Sequence, residues 1–153
     1  MKKLLYILLL PVIALALANC DDDSSETIDT RLIIGQWEVV SQDSPERNCI
    51  YDFTPQGENT WNWGTLTTYY LTVSGNPVHD KAYNWHISDP KNDDTVHLET
   101  VLQGDLDSDD LWKNTDFFIV EKLTSTQMVL RRNTVGDSHT RIKFIRRNDL
   151  TLP

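Results

Sequence analysis

Two histidines, a run of alternating aspartates and a cysteine set among aromatics are the residues of this chain whose types and spacing could do chemistry. If residues 89–94 join two antiparallel strands, Ile87 faces Val96, Trp85 faces Leu98, and His86 lies opposite His97 on the solvent side. Two imidazoles on adjacent strands can share a zinc ion, but a stable site needs a third or fourth ligand and only Glu99 is close in sequence. Solvated surface histidines are the better reading. Asp105, Asp107, Asp109 and Asp116 have the spacing of a calcium loop. Asp110, however, stands where such a loop needs glycine for its sharp turn, and Asp116 is shorter than the usual bidentate glutamate. An acidic solvated loop, or a short helix capped by Ser108, explains the run more simply. Cys49, next to Ile50, Tyr51 and Phe53, is expected to be a buried thiol in a strand, with nothing beside it to suggest an activated nucleophile. Glycine-rich phosphate cradles, G-x-S-x-G elbows, paired-cysteine metal frames and H-E-x-x-H runs are all absent from the sequence. The expectation is a protein that is not an enzyme and uses no cofactor and no metal.

A different chemistry is written at the start of the chain. Lys2 and Lys3 precede an apolar run over residues 4–18, interrupted by Tyr6 and Pro11. That run is shorter than the roughly 20 residues a membrane-spanning helix needs and fits a secretory signal instead. It ends in Leu17, Ala18, Asn19 and Cys20, which resemble the lipobox of bacterial lipoproteins. The resemblance implies that residues 1–19 are removed and that the Cys20 thiol and the new amine are acylated, holding the chain on the cell envelope. At ~0.8 kcal/mol per buried methylene, several acyl chains anchor durably where one does not. Residues 21–26 (Asp-Asp-Asp-Ser-Ser-Glu) contain nothing apolar and read as a flexible tether, residues 20–30 in all. They also resemble the acidic sorting signal of some surface-displayed lipoproteins, which leaves an outer-membrane location with either face open.

The charge balance is acidic, −9 formally, and −11 once the leader with its two lysines is gone (12 basic less 23 acidic). Such a field repels phosphate backbones, so nucleic acid is excluded as a partner, and a polybasic membrane contact is not expected. Beyond the tether, residues 31–153 suffice for one modest domain with a single core.

No long helical period occurs in that domain, apart from a turn near residues 28–34 that would close one end. Short β-branched and aromatic segments alternate with turn-formers instead, placing strands at 36–41, 49–54, 60–63, 67–74, 81–88, 95–103, 116–123, 127–132 and 139–147. Short connections make consecutive strands antiparallel neighbours. The expected fold is all-β, an up-and-down barrel of eight or nine strands, with a two-sheet sandwich as the alternative.

Gly35-Gln36-Trp37, opening the first strand after the helical turn, resembles the G-x-W motif of lipocalins and lipocalin-like bacterial lipoproteins. The hairpin over residues 117–132 looks like the late hairpin of those lipoproteins. The resemblance covers most of residues 28–147 and implies that a basic residue from the last strand lies across the Trp37 ring. Alternation makes Arg146 the first candidate and Arg147 the second. Gly35, Trp37 and Arg146 are then structural. Trp61 and Trp63 share a strand face and, with Tyr83 and Trp85, could line a pocket for a small apolar or saccharide ligand. Alternatively they fill a packed barrel, and the protein is an accessory subunit that meets an envelope protein partner.

Overall fold

The computed structural model of the chain describes residues 27–41, 47–91, 95–104, 114–133, 136 and 139–153. Cys20 and the leader, the tether over 21–26, the 105–110 aspartate run and Ser108 lie outside the described residues. Eight strands form a closed antiparallel barrel in meander order: β1 Gly35–Val39, β2 Cys49–Pro55, β3 Trp63–Leu71, β4 Pro77–Ile87, β5 His97–Leu102, β6 Thr115–Leu123, β7 Gln127–Arg132 and β8 Arg141–Arg147. β1 closes the barrel against β8, with Trp37 opposite Arg146 and Val39 opposite Phe144. Closure satisfies both edges of the sheet, which a sandwich would leave open.

The nine expected segments become eight strands because only Trp63 of residues 60–63 is in a strand, the one that continues into residues 67–71. β3 runs unbroken through Gly64 and Thr65, and its partner β4 starts at Pro77, four residues before the expected Lys81. Thr60 is instead held in a turn, its backbone N–H and its hydroxyl both donating to the Gly57 carbonyl. Gly64 must be glycine on steric grounds, since a Cβ there would sit 2.0 Å from the Thr54 carbonyl oxygen. Between β4 and β5 the register is two residues from the expected one: Ile87 pairs with Leu98, Trp85 with Thr100, and His86 with Glu99 rather than His97. A slip of two preserves the faces, so the apolar pattern alone could not detect it.

Alternation along the strands sends Trp37, Val39, Phe53, Leu66, Trp85, Ile87, Leu98, Val120, Met128, Leu130, Ile142 and Phe144 inward as one core. The end of the barrel at Gly35 is a floor. A single 3-10 turn, Thr30–Ile33, lies across it, begun by Asp29, whose side chain accepts from the Arg31 N–H. Trp37 Nε1 donates to the Ile33 carbonyl at 2.7 Å. Arg146 stacks 4.2 Å above the Trp37 ring and donates to the carbonyls of Ile34 (2.9 Å) and Leu32. Gly35, at φ +114°, brings the chain so close that an added Cβ would stand 2.8 Å from Arg146 Nη1. Ile28 and Leu32 pack against the same core, so residues 27–153 keep every core residue of the described barrel.

Two bulges break the alternation. One inserts Asp80 between the pairs Thr68–Lys81 and Tyr69–His79, the other Glu121 between Val120–Leu130 and Lys122–Val129. Each re-aims the side chains beside it.

Candidate functional site

The core fills the barrel from the floor upward, and near the opposite end it gives way to a cavity of about 150 Å³. Leu66 and Phe118 form its apolar base, Tyr51 and Tyr83 stand at its sides, and Cys49 reaches it from the first residue of β2. Polar groups come from four strands: Thr68, the Asp80–Lys81 pair, Thr100 and Asp116. Regular alternation would point Asp80 and Lys81 to opposite faces. The extra residue at the bulge lets both line one pocket. Thr68, buried, ties the bulge down: its hydroxyl donates to an Asp80 carboxylate oxygen at 3.3 Å and accepts from the Lys81 N–H at 3.2 Å.

Charges of both signs face the cavity. Arg132 lies 3.6 Å from the Asp116 carboxylate and stacks on the Phe118 ring with 5.6 Å to its centroid. This arrangement suits a ligand with hydroxyls or paired charges that presents one flat face to Tyr51, Tyr83 or Phe118. An apolar cavity of about 150 Å³ holds a benzene-sized guest, whereas drug-sized sites run to roughly 300–1,000 Å³. The volume therefore admits one ring.

The structure separates the four aromatics expected to line a pocket. Tyr83 does so. Trp85 lies one inward position deeper on the same strand, fully buried, edge-on to Phe53 at 5.7 Å and donating from Nε1 to the Thr54 carbonyl at 3.3 Å, so it belongs to the core. The expectation for Trp63 is corrected: β3 turns it outward, 43% exposed, opposite His86. Trp61, half-buried in the turn ahead of β3, is at the floor end and does not line the cavity. Trp61 and Trp63 therefore do not share a strand face: Trp63 opens β3 on its outward side and Trp61 precedes the strand. Cys49 is half-buried at the cavity rather than sealed in the core. Gly35, Trp37 and Arg146 do meet, at the floor. Among the described residues, no three His, Cys, Asp or Glu side chains gather as metal ligands.

Sequence reasoning missed Tyr51, Thr68, Lys81, Thr100 and Asp116. The available signal was the hydroxyl residues Thr68 and Thr100 at inward positions of otherwise apolar strands, where a buried polar group needs a partner. The bulge that adds Asp80 leaves no such trace.

On the outside, Asp52 sits between Gln36 and Thr67 on the neighbouring strands, and burial pushes its carboxyl pKa up. Glu121, at the second bulge, is bonded by Arg141 (2.6 Å) and Arg131 (2.7 Å), which hold its carboxyl below the usual range against a smaller effect of burial.

No family model and no curated protein matches the chain. Two solved structures are similar to it in the course of the chain. One is a lipocalin-like protein from Bacteroides uniformis, at 14% identity, covering 75% of this chain and 98% of the other, with a TM-score of 0.45. The other is an uncharacterized protein from Bacteroides eggerthii, at 18% identity, covering 74% and 98%, also with a TM-score of 0.45. The closed barrel of this chain rests on its own strand pairing.

Proposed function

We propose that this is an envelope lipoprotein, anchored through acylated Cys20 and held at the outer membrane, whose barrel binds one small polar ring compound, a sugar being the class that fits best. The ring-sized cavity bounded by Tyr51, Tyr83, Thr68, Lys81 and Asp116 carries this reading. Aromatic faces set beside hydroxyl, carboxylate and ammonium groups match a molecule with alternating C–H and O–H surfaces. They match a fatty acyl chain poorly, because such a guest would strip water from Lys81 and Asp116 without replacing it.

Calorimetric titration of residues 27–153 tests the pocket, with glucose, N-acetylglucosamine, glucuronate and a short fatty acid as probes. Saturable binding of a sugar that weakens at least about tenfold in Tyr83→Ala, while Trp63→Ala binds normally, supports the reading. Binding of the fatty acid alone would make the ligand apolar, and silence from every probe would leave a barrel without this function. The anchor has its own test. Radiolabelled palmitate should enter the full chain and be lost in Cys20→Ser, and incorporation that survives that change would sink the lipobox reading.

A further inference from the structure

The net charge of −9 conceals a sharp segregation. From residue 117 onward the chain has seven basic and three acidic residues, against seven and twenty before it. Alternation on β6–β8 turns five of those cations outward to the same side of the barrel: Lys122, Arg131, Arg141, Lys143 and Arg147. Arg131 and Arg141 are direct cross-strand partners and share one carboxylate, Glu121. Lys122 donates to Gln127 at 2.8 Å, a neutral partner. With Glu38, which stands opposite Ile145, and Asp149 both bonded to Arg147, five cations meet three anions and leave this face at +2 among the described residues, on a protein that is acidic overall.

The same face carries exposed aliphatic side chains. Across four adjacent strands runs the row Lys122, Val129, Lys143, Val40, joined by the registers of β6–β7 and β7–β8 and by the Val40 N–H donating to the Lys143 carbonyl at 2.8 Å. Ile145 stands beside it. Val40 and Ile145 are 42% and 39% exposed, and with Val129 and the two lysines they border an open groove of about 330 Å³.

We propose that this outer face of β7 and β8 docks on an anionic bilayer surface. Protein interfaces centre on tryptophan, tyrosine and arginine and are depleted of lysine in their core. Here the centre is Val40, Val129 and Ile145, with lysine on both sides of Val129 and no tryptophan or tyrosine along the groove. Aliphatic side chains between long cationic stems suit a lipid interface: the stems extend to headgroup phosphates while the aliphatics enter the acyl boundary. The choice of a bilayer also rests on the anchor proposed above. Six residues, 21–26, separate the acylated cysteine from Thr27, at most about 25 Å over the seven steps when extended, so the membrane would always be within reach. Binding by this face then sets the orientation of the barrel above that membrane.

The test uses the unanchored domain, residues 27–153, so its outcome does not depend on Cys20. It is co-sedimented with phosphatidylcholine vesicles made with and without one third phosphatidylglycerol. The domain is expected to pellet with the anionic vesicles only, and less as salt rises. At about 1 kcal/mol per basic residue near such a surface, Lys122→Glu/Lys143→Glu should reduce the partition at least about thirtyfold, and Lys91→Glu, elsewhere on the barrel, should not. Near-ultraviolet circular dichroism checks that the double variant is folded. Val40→Asp, which leaves every cation in place, should also lose binding. Equal partition of wild type and double variant, equal binding to neutral vesicles, or no pelleting at all would each overturn the docking face and leave the lipobox reading untouched.

Discussion

The clamp at the barrel floor offers the most quantitative check. Replacing Arg146 by methionine keeps an unbranched side chain over Trp37 but removes the guanidinium that lies 4.2 Å from that ring and bonds the Leu32 and Ile34 carbonyls. A desolvated cation–π contact contributes about 2 kcal/mol, and each hydrogen bond from a charged donor about 1.5–3. Against this stands the cost of burying the guanidinium, visible in the lowering of its pKa by burial. The net loss should be about 3 kcal/mol, a large part of the roughly 5–15 kcal/mol that holds a domain folded. For a domain of this size that lowers the Tm by about 12 °C. Urea unfolding of residues 27–153, followed by tryptophan emission, gives the free energy. Hydrogen exchange should show the amides of residues 30–34 losing protection beyond the global change, because two carbonyls of the turn have lost their donor. Arg146→Lys keeps the charge without the planar fork and should fall between the two. A loss under about 1 kcal/mol in Arg146→Met, with protection of the turn intact, would refute the clamp.

Other perturbations should separate packing from charge. Gly64→Ala places a methyl group 2.0 Å from the Thr54 carbonyl oxygen and 2.8 Å from the Pro55 Cα, both backbone atoms, and should cost at least about 3 kcal/mol in urea unfolding. Glu121 and Asp52 should give opposite pH profiles. The Glu121 pKa is lowered by Arg141 first and Arg131 second, so its stabilisation is complete above the ordinary carboxyl range and fades as pH falls through the lowered value. Glu121→Gln should therefore be less stable than wild type at pH 7, by at most about 1 kcal/mol for a surface cluster, and equal to it near the acid limit. Burial raises the Asp52 pKa, so its charged form costs stability above that value and the cost disappears as pH drops. Asp52→Asn should raise the Tm at neutral pH and leave it unchanged in acid. A Tm for Asp52→Asn that falls at both pH values would show the carboxylate to be structurally needed instead.

The sequence displayed what repeats and hid what occurs once. Meander order and the inward faces of Tyr83–Ile87 and of β8 follow from alternation, and the meeting of Gly35, Trp37 and Arg146 follows from a short motif plus the parity of the last strand. The 3-10 turn at Thr30–Ile33 was expected from Ile28, Leu32 and Ile33. Gly64 misled, because a glycine inside a strand looks like a break until the close approach of Thr54 is known. The β4–β5 register was hidden for another reason: slipping by two residues exchanges one apolar pair for another. The cavity was least legible, since the bulge at Asp80 depends on strand pairing and leaves no local pattern. The cationic face could have been read from composition, by comparing the two ends of the chain instead of summing them.

The pairing of β1 with β8 also determines when the barrel can form. Arg146 bonds the Leu32 carbonyl across 114 residues, and every contact between β1 and β8 waits for the last part of the chain to be made. A nascent chain lacking β8 can at best present a seven-strand sheet with β1 and β7 as open edges, its floor unclamped and Trp37 without its cation. Such a species is poorly stabilised and prone to pair with its own kind. Stable folding therefore waits until β8 has been made. The same order makes loss of even the final ten residues, Phe144 and Arg146 among them, a defect of the whole barrel rather than of its tail.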